Sequence, residues 1–330
     1  MKAILNKLIK QEPLSSEEAK NVIVNISKGK YNHTEITAFV TVYMMRSITI
    51  EELKGFRDAL LELCIPVDLS EYNTIDLCGT GGDSKDTFNV STLSSFVTAG
   101  AGIQVAKHGN YGVSSPSGSS NVMEAIGITF SDKTSDLKKA LDEANICFLH
   151  APLFHPALKK VAPVRKDLGL KTFFNMLGPM VNPSFPKNQL VGVFNLELQR
   201  IYGYLYQDTS INYSIVHALD GYDEISLTGN AKIITNNSET ILTPKDLNLS
   251  IIEPKELYGG KSVKKSAKTF LKIINGEGKE AQNNVVCANA GLAIAMVKKI
   301  SHAEGFALAK ESLHGLKAKA SLNKLIALSN

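Results

Sequence analysis

Several short segments of this chain carry side chains whose types and spacing could do chemistry. The first is Gly79-Thr80-Gly81-Gly82-Asp83, which follows the apolar run Ile75 to Cys78 and precedes Thr87-Phe88-Asn89-Val90-Ser91-Thr92. Glycines at a strand end let backbone N–H groups approach an anion, and a helix opening at Ser91 or Thr92 adds favourable partial charge. No Lys-Ser or Lys-Thr pair follows the glycines, so this is not a Walker loop; a plain tight turn is the alternative. Asp83 would repel a bare phosphate. It suits ribose hydroxyls or a phosphate that already carries a metal.

The second segment runs Val105-Ala106-Lys107-His108-Gly109-Asn110-Tyr111-Gly112-Val113-Ser114-Ser115, with Gly118 and Ser119 just beyond. It reads as a strand end followed by a polar loop in which Lys107 is a counter-ion for phosphate. His108 is read as shaping that loop by packing, with general acid as the alternative. Ser119 reads as the N-cap of a helix through Val122, Met123 and Ile126. In the third segment, Asp220-Gly221-Tyr222-Asp223-Glu224, adjacent carboxylates after a strand suit a hard cation such as Mg²⁺, although the motif taken alone reads first as a solvated acidic turn. The fourth, His155-Pro156 through Val161-Ala162-Pro163-Val164-Arg165, offers one guanidinium, which could also be a surface ion pair.

The elements that must position these groups follow from the hydrophobic pattern. Ser15 with Glu18, Asn32 with Glu35 and Thr49 with Glu52 have capping-box spacing, and Ile36, Phe39, Val40 and Tyr43 recur at helical intervals. Residues 1–70 therefore read as a small all-helical domain. From Asn73 onward the apolar runs Ile75 to Cys78, Ile103 to Ala106, Ile146 to Leu149, Leu190 to Phe194 and Ser214 to His217 alternate with helix-like stretches. Residues 71–330 thus read as a larger α/β domain with a mostly parallel central sheet, with functional loops at the carboxyl ends of its strands. From Ser266 the chain reads as helices, with Ala288 to Val297 as a buried packing helix.

Composition excludes some classes. The net charge of +4, from 36 Lys+Arg against 32 Asp+Glu, is too small to demand nucleic acid, though it suits a phosphate-rich ligand. The four cysteines form no CxxC pair, which argues against thiolate metal sites and disulfides and for a reducing compartment. No apolar run is long enough to span a bilayer, and the expectation is a cytoplasmic protein that binds no membrane.

Taken in order, Gly79-Thr-Gly-Gly-Asp83, Lys107-His-Gly-Asn110, Val161-Ala-Pro-Val-Arg165, Phe174-Asn175-Met-Leu-Gly-Pro179 and Asp220-Gly-Tyr-Asp-Glu224 resemble the signatures of the anthranilate phosphoribosyltransferase family, over nearly the whole chain. The resemblance implies a fold shared with class II pyrimidine nucleoside phosphorylases: a helical domain beside an α/β domain, with part of 155–185 packed against the helices. It implies a homodimer joined through the helical domain, whose hinge side borders the active site. It implies transfer of phosphoribose from 5-phosphoribosyl 1-pyrophosphate (PRPP) to the amine of anthranilate in tryptophan biosynthesis, with Mg²⁺. Carried over by position, PRPP would meet Gly79, Gly82, Asp83, Thr87, Asn89, Val90, Ser91, Thr92, the loop Lys107, His108, Gly109, Asn110, Tyr111, Gly112, Val113, Ser114 and Ser115, and Ser119. Anthranilate would meet Gly79, Asn110 and Arg165, and the metal Ser91, Asp223 and Glu224, with no general base.

Two departures stand out. Many relatives carry Arg where this chain has Tyr111, which removes a possible phosphate partner. Many read Gly-Ser-Ala-Asp where it has Gly118-Ser119-Ser120-Asn121, a change expected to alter helix capping only. The alternatives are a pyrimidine nucleoside phosphorylase of the same fold and a non-catalytic nucleic-acid-binding relative.

Overall fold

A computed structural model of the chain describes residues 1–112 and 117–329. In chain order its elements begin with helices α1 (Lys2–Ile9), α2 (Ser16–Ser27), α3 (His33–Met44) and α4 (Ile50–Glu62). Strand β1 (Ile75–Gly79), α5 (Val90–Gly100), β2 (Val105–Gly109), α6 (Ser119–Ala125), α7 (Thr134–Ala144) and β3 (Ile146–His150) follow. Then come the short helices α8 (Ala151–Phe154), α9 (Ala162–Leu168) and α10 (Phe174–Leu177), and β4 (Asn188–Gly192), α11 (Leu196–Gln207) and β5 (Asn212–Ala218). The chain ends with β6 (Ala231–Thr235), β7 (Glu239–Leu242), α12 (Val263–Ile274), α13 (Glu280–Lys298), α14 (His302–His314) and α15 (Lys317–Ser329). Two compact units divide it: Met1–Val67 with Ala151–Pro183, and Asp68–His150 with Ser184–Asn330.

In the helical unit all three capping boxes form, so the N-termini of α2, α3 and α4 have their exposed backbone donors satisfied by their own side chains. Ile36, Phe39, Val40 and Tyr43 make the buried face of α3. Phe39, Tyr43, Phe56 and Phe173 form one aromatic core, with Phe56 stacked on Phe173 at 4.6 Å and Phe39 edge-on to Phe56 at 5.9 Å. Phe173 comes from the 151–183 segment, which ties that stretch into this unit's core.

The α/β unit is built on a seven-stranded sheet of order β3-β2-β1-β4-β5-β6-β7. The strands β3, β2, β1, β4 and β5 run parallel, while β6 and β7 add an antiparallel edge. From β1 the chain moves to β2 and β3 on one side and returns through β4 and β5 on the other. The crevice at the carboxyl ends of β1 and β4 is therefore the topological switch point, where ligands bind in such sheets. The sequence reading located the parallel strands but missed the β6–β7 hairpin, whose edge strand β7 is largely exposed and lacks the apolar run used as the signal. It also began β2 two residues early. Lys107, His108 and Gly109 pair with Phe148, Leu149 and His150 as strand residues, not as a loop. Helix α13 is buried on all sides between Val285 and Ala295, as a packing helix should be. Among the described residues no helix is long and apolar enough to cross a membrane.

Candidate active site

The switch point is occupied by the acidic segment that follows β5. Gly79 and Gly192 are direct register partners at the carboxyl ends of β1 and β4. A Cβ on Gly192 would lie 1.5 Å from the Asp223 carbonyl oxygen, and one on Gly79 would lie 2.5 Å from Asp223 Oδ2. Only paired glycines leave this seat, so the sheet itself fixes where Asp223 rests. The Gly81 N–H donates to Asp223 Oδ2 at 2.7 Å, tying the glycine turn to the same carboxylate.

Asp223 and Glu224 are both buried. Burial pushes the Asp223 carboxyl well above the usual carboxylate range, and Asp83, which also hydrogen-bonds it, pushes further. Glu224 is raised by burial and then by Asp223 and Asp83, with a hydrogen bond from Thr87 acting the other way. Glu224 Oε1 is buried with no hydrogen-bond partner. Three carboxylates thus converge with an unfilled acceptor among them, an arrangement that suits a cation. Among the described residues no group of three or more His, Cys, Asp or Glu forms a metal cage. Mg²⁺ does not need one, because it is held by one or two carboxylates and completes its shell with water and phosphate oxygens. Ser91, Asp223 and Glu224 line one small cavity of about 20 Å³, room for roughly a single water.

Beside this acidic node stands the N-terminus of α5. Its N-cap, Asn89, makes no capping bond; the Asn89 amide instead donates to the Ser117 carbonyl at 3.3 Å. The helix starts at Val90, one residue before the expected Ser91 or Thr92. Its uncapped first turn offers N–H groups and positive partial charge to an anion. A segment that sequence reasoning passed over straps the preceding loop: Phe88 N–H donates to the Leu257 carbonyl at 3.0 Å and Gly259 N–H to the Asp86 carbonyl at 2.8 Å. Gly259 next to Gly260 was the available signal.

Lys107 lies inside the sheet, on β2. It is 1% exposed, its ammonium donates to the Leu77 carbonyl at 2.7 Å, and Asp76 supplies the neighbouring negative charge. As a strand residue it points into the sheet layer, so its charge is balanced internally. Burial lowers its pKa and Asp76 partly restores it. His108 is also buried, and its backbone N–H donates to Asp76 Oδ1 at 3.2 Å.

Beyond β2, Asn110 N–H donates to Ser119 Oγ at 3.2 Å, and the Ser120 N–H donates to the Asn110 carbonyl at 3.1 Å. Ser119 is not the N-cap: Gly118 holds that position, and Ser119 Oγ serves the Asn110 turn instead. Asn121 Oδ1 accepts from both Gly112 N–H (2.9 Å) and Gly118 N–H (3.0 Å), which closes the loop's two ends onto α6. Ser120 Oγ bonds His150 Nδ1 at 2.8 Å, so the Ser120-Asn121 departure does more than alter capping. Tyr111 donates its hydroxyl to Glu124 at 2.7 Å and sets its ring edge-on to His150 at 4.8 Å. Val113, Ser114 and Ser115 lie outside the described residues.

Gly79, Gly82, Asp83, Thr87, Asn89, Val90, Ser91, Thr92, Lys107 to Gly112, Ser119, Asp223 and Glu224 all belong to the α/β unit. Arg165 belongs to the helical unit, on α9, where Pro163 opens the helix and Gly169 closes it. Its guanidinium sits 5.6 Å over the Phe174 ring. Nε is buried with no hydrogen-bond partner, and burial lowers the pKa. Gly192 was not singled out in the sequence, although a glycine inside an apolar strand run is a known sign of close backbone approach.

The chain matches the glycosyl transferase family, a/b domain, over residues 71–319, and the glycosyl transferase family, helical bundle domain, over residues 2–64. It is 67% identical to an anthranilate phosphoribosyltransferase of Flavobacterium johnsoniae, over 100% of both chains. The chain belongs to the anthranilate phosphoribosyltransferases. Among solved structures, the anthranilate phosphoribosyltransferase of Thermus thermophilus superposes with a TM-score of 0.90 at 31% identity, covering 98% of each chain. The anthranilate phosphoribosyltransferase of Saccharomyces cerevisiae in complex with PRPP and Mg gives 0.89 at 26% identity, covering 98% of this chain and 96% of that one. The family's two-part architecture, helical bundle plus mostly parallel α/β sheet, is the architecture found here.

Proposed function

We propose that this chain transfers the phosphoribosyl group of PRPP to the amine of anthranilate, giving N-(5-phosphoribosyl)anthranilate and pyrophosphate in tryptophan biosynthesis, with Mg²⁺. The observation that carries this reading is the acidic node seated on Gly79 and Gly192, at the switch point and beside the uncapped N-terminus of α5. Buried carboxylates facing an anion-binding helix end make sense when a cation stands between them and a polyphosphate. Ser91, Asp223 and Glu224 would hold that Mg²⁺, which when bound would neutralise charge on the departing diphosphate. The relative from Saccharomyces cerevisiae whose structure contains PRPP and Mg supports the same ligands here.

The chain's own groups divide the work. Gly79, Gly82, Asp83, Thr87, Asn89, Val90, Ser91 and Thr92 bind PRPP through backbone N–H groups, hydroxyls and ribose contacts. Residues 107–115 and Ser119 bind it from the β2 side, with Lys107 contributing its charge from within the sheet. Gly79, Asn110 and Arg165 receive anthranilate, whose carboxylate matches a guanidinium fork. In the reaction the amine nitrogen bonds ribose C1 as the bond from C1 to the diphosphate oxygen breaks, and the nitrogen then loses a proton to solvent. An aryl amine is neutral at pH 7, so orientation and charge stabilisation carry the rate and no general base is assigned. His108, buried in β2, shapes the strand end.

A cytoplasmic homodimer fits the remaining observations. All four cysteines are free thiols, and the helical unit exposes Ile9 (65%) and Met45 (82%) to solvent, apolar area that a second copy would cover. The test is direct. Purified protein with anthranilate, PRPP and Mg²⁺ should consume anthranilate fluorescence and release pyrophosphate one for one, and EDTA should stop it. Loss of fluorescence without pyrophosphate, or no reaction with any divalent cation, would sink the proposal.

A further inference from the structure

Between Val285 and Ala295 every residue of α13 is buried, and Asn289 is the one amide side chain in that stretch. Its amide bonds both backbone groups of Ile225, outside the helix, and one carbonyl of its own helix. Oδ1 accepts from the Ile225 N–H at 3.0 Å, and Nδ2 donates to the Ile225 carbonyl at 2.9 Å and to the Val285 carbonyl at 2.9 Å. Ile225 directly follows Glu224. On the other side of the acidic pair, the Tyr222 carbonyl accepts from Ala218 N–H at 3.0 Å, and the Gly79–Gly192 seat fixes Asp223. The pair is therefore gripped by its backbone at both ends. Asn289 also lines the same small cavity as Ser91, Asp223 and Glu224.

We propose that Asn289 is a positioning residue that holds Asp223 and Glu224 where they meet a metal–diphosphate. The inference rests on the metal reading given above. The physical need for a grip is clear: two adjacent buried carboxylates with Asp83 nearby repel one another, and side chains alone would relax apart before any cation arrived. A backbone pinned by a buried two-point amide stores that arrangement in advance, as partners behind metal ligands do in other sites. An apolar residue would pack α13 as well, but would leave the Ile225 N–H and carbonyl without partners.

The experiment measures binding, not turnover. Mn²⁺ with PRPP is titrated into the full-length protein and followed by electron spin resonance of the free ion. Asn289→Ala is expected to weaken Mn²⁺·PRPP binding by roughly ten- to hundredfold, the range seen for such supporting partners, while leaving the KM for anthranilate near its original value. Val286→Ala, on the same helix, lowers thermal stability and leaves the binding curve in place. Asp223→Asn tests the metal reading separately: wild-type binding in that variant overturns the reading itself. Impaired Asp223→Asn together with a folded Asn289→Ala that binds like wild type overturns only the positioning role. Should the alanine variant fail to fold, Asn289→Asp keeps the volume and the acceptor for Ile225 N–H but loses the donor, and native binding there overturns the role equally. In the unaltered protein the Ile225 amide should be strongly protected from hydrogen exchange. Exchange as fast as that of an exposed loop amide would show that no grip exists.

Discussion

Glu52 in the helical unit and the Asp223–Glu224 pair in the α/β unit are all buried carboxylates, yet their surroundings are opposite. Glu52 accepts hydrogen bonds from Leu14 N–H (2.9 Å), Tyr43 Oη (2.9 Å), Arg46 Nη1 (2.8 Å) and Thr49 N–H (2.9 Å). Although burial opposes ionisation, these partners hold its pKa below the usual value, and Arg46 is itself buried against it. Among the described residues no cation pairs with Asp223 or Glu224, and their pKa values are raised. The first carboxylate is matched where it stands. The second pair is matched only if something else arrives. Buried charge left unbalanced in a cleft marks function, because folding alone would have removed it.

Breaking the comparison at its ends should give the largest effects. The double change Asp223→Asn, Glu224→Gln should cut kcat/KM by about 10³-fold or more, since charge stabilisation of the leaving group goes with the cation. Its melting temperature should hold or rise, because mutual repulsion is relieved. Glu52→Gln should do the reverse, costing about 3–5 kcal/mol of stability by leaving Arg46 buried without its partner. Its steady-state constants should stay close to wild type at a temperature well below its melting point. Thermal unfolding and kinetics on both variants check this. Equal loss of stability in the two would erase the distinction.

The two nodes were not equally legible in the sequence. Thr49 with Glu52 shows as a capping box, a local pattern, but the reach of Glu52 to Leu14 and Tyr43 is tertiary and leaves no spacing signal. Asp223-Glu224 shows as an acidic pair after a strand, and the parallel strands show as apolar runs. The seat under the pair does not, because Gly79 and Gly192 meet only through sheet register. Asn289 hides in an apolar stretch that reads as core. Lys107 reads as a loop residue because a lysine ends the apolar run Ile103 to Ala106. The sheet tolerates it there because Asp76, across the strand pair, balances it. In the β6–β7 hairpin only β7 is largely exposed; β6 carries the short apolar pair Ile233-Ile234, too brief a run to stand out as a strand beside the longer parallel ones.

Lys107 extends the comparison, as it resembles the Glu52 case within the α/β unit. Lys107→Met preserves most of the volume but leaves Asp76 buried without its cation. A stability loss of about 3–5 kcal/mol is expected, and Asp76→Asn combined with Lys107→Met should recover most of it. Urea unfolding of the two single variants and the double gives the coupling directly. A Lys107→Met protein as stable as wild type, with only its PRPP affinity reduced, would move Lys107 from the matched class to the unmatched one.

His155 sharpens the comparison on the helical side. It is 2% exposed, and burial lowers its pKa to about 4, with a hydrogen bond to the Val181 backbone opposing. The unfolded chain takes up a proton near the ordinary histidine value of 6.5, which the folded protein resists until about 4. Stability is therefore complete above pH 6.5 and falls as pH drops through that window. The slope is about 1.4 kcal/mol per pH unit, so the total is on the order of 3 kcal/mol. Comparing the melting temperature of wild type and His155→Gln between pH 7 and pH 4.5 isolates this contribution. The variant should show a shallower decline, and an identical decline would remove His155 from the account.

Arg165 is the counterpart of Arg46, and the contrast between them concerns cations. Each guanidinium lies over an aromatic ring, Arg46 at 5.1 Å from Tyr43 and Arg165 at 5.6 Å from Phe174. Arg46 has Glu52; Arg165 has a buried Nε with no partner and a pKa lowered by burial. By the logic drawn from the carboxylates, Arg165 awaits an anion, and the carboxylate of anthranilate has the planar geometry to meet its fork. Arg165→Ala should raise the KM for anthranilate by roughly ten- to hundredfold, equivalent to about 1.5–3 kcal/mol for a charge-assisted hydrogen bond, and change the KM for PRPP much less. Folding should suffer little, because among the described residues the guanidinium makes no ion pair and loses only its contact over the Phe174 ring. Arg165→Lys should restore only part of the affinity, since an ammonium cannot present two parallel donors. Steady-state kinetics with each substrate varied in turn separates the outcomes. If Arg165→Ala weakens PRPP and spares anthranilate, the anion that Arg165 awaits is phosphate, and the assignment of acceptor and donor sides must be exchanged at this residue.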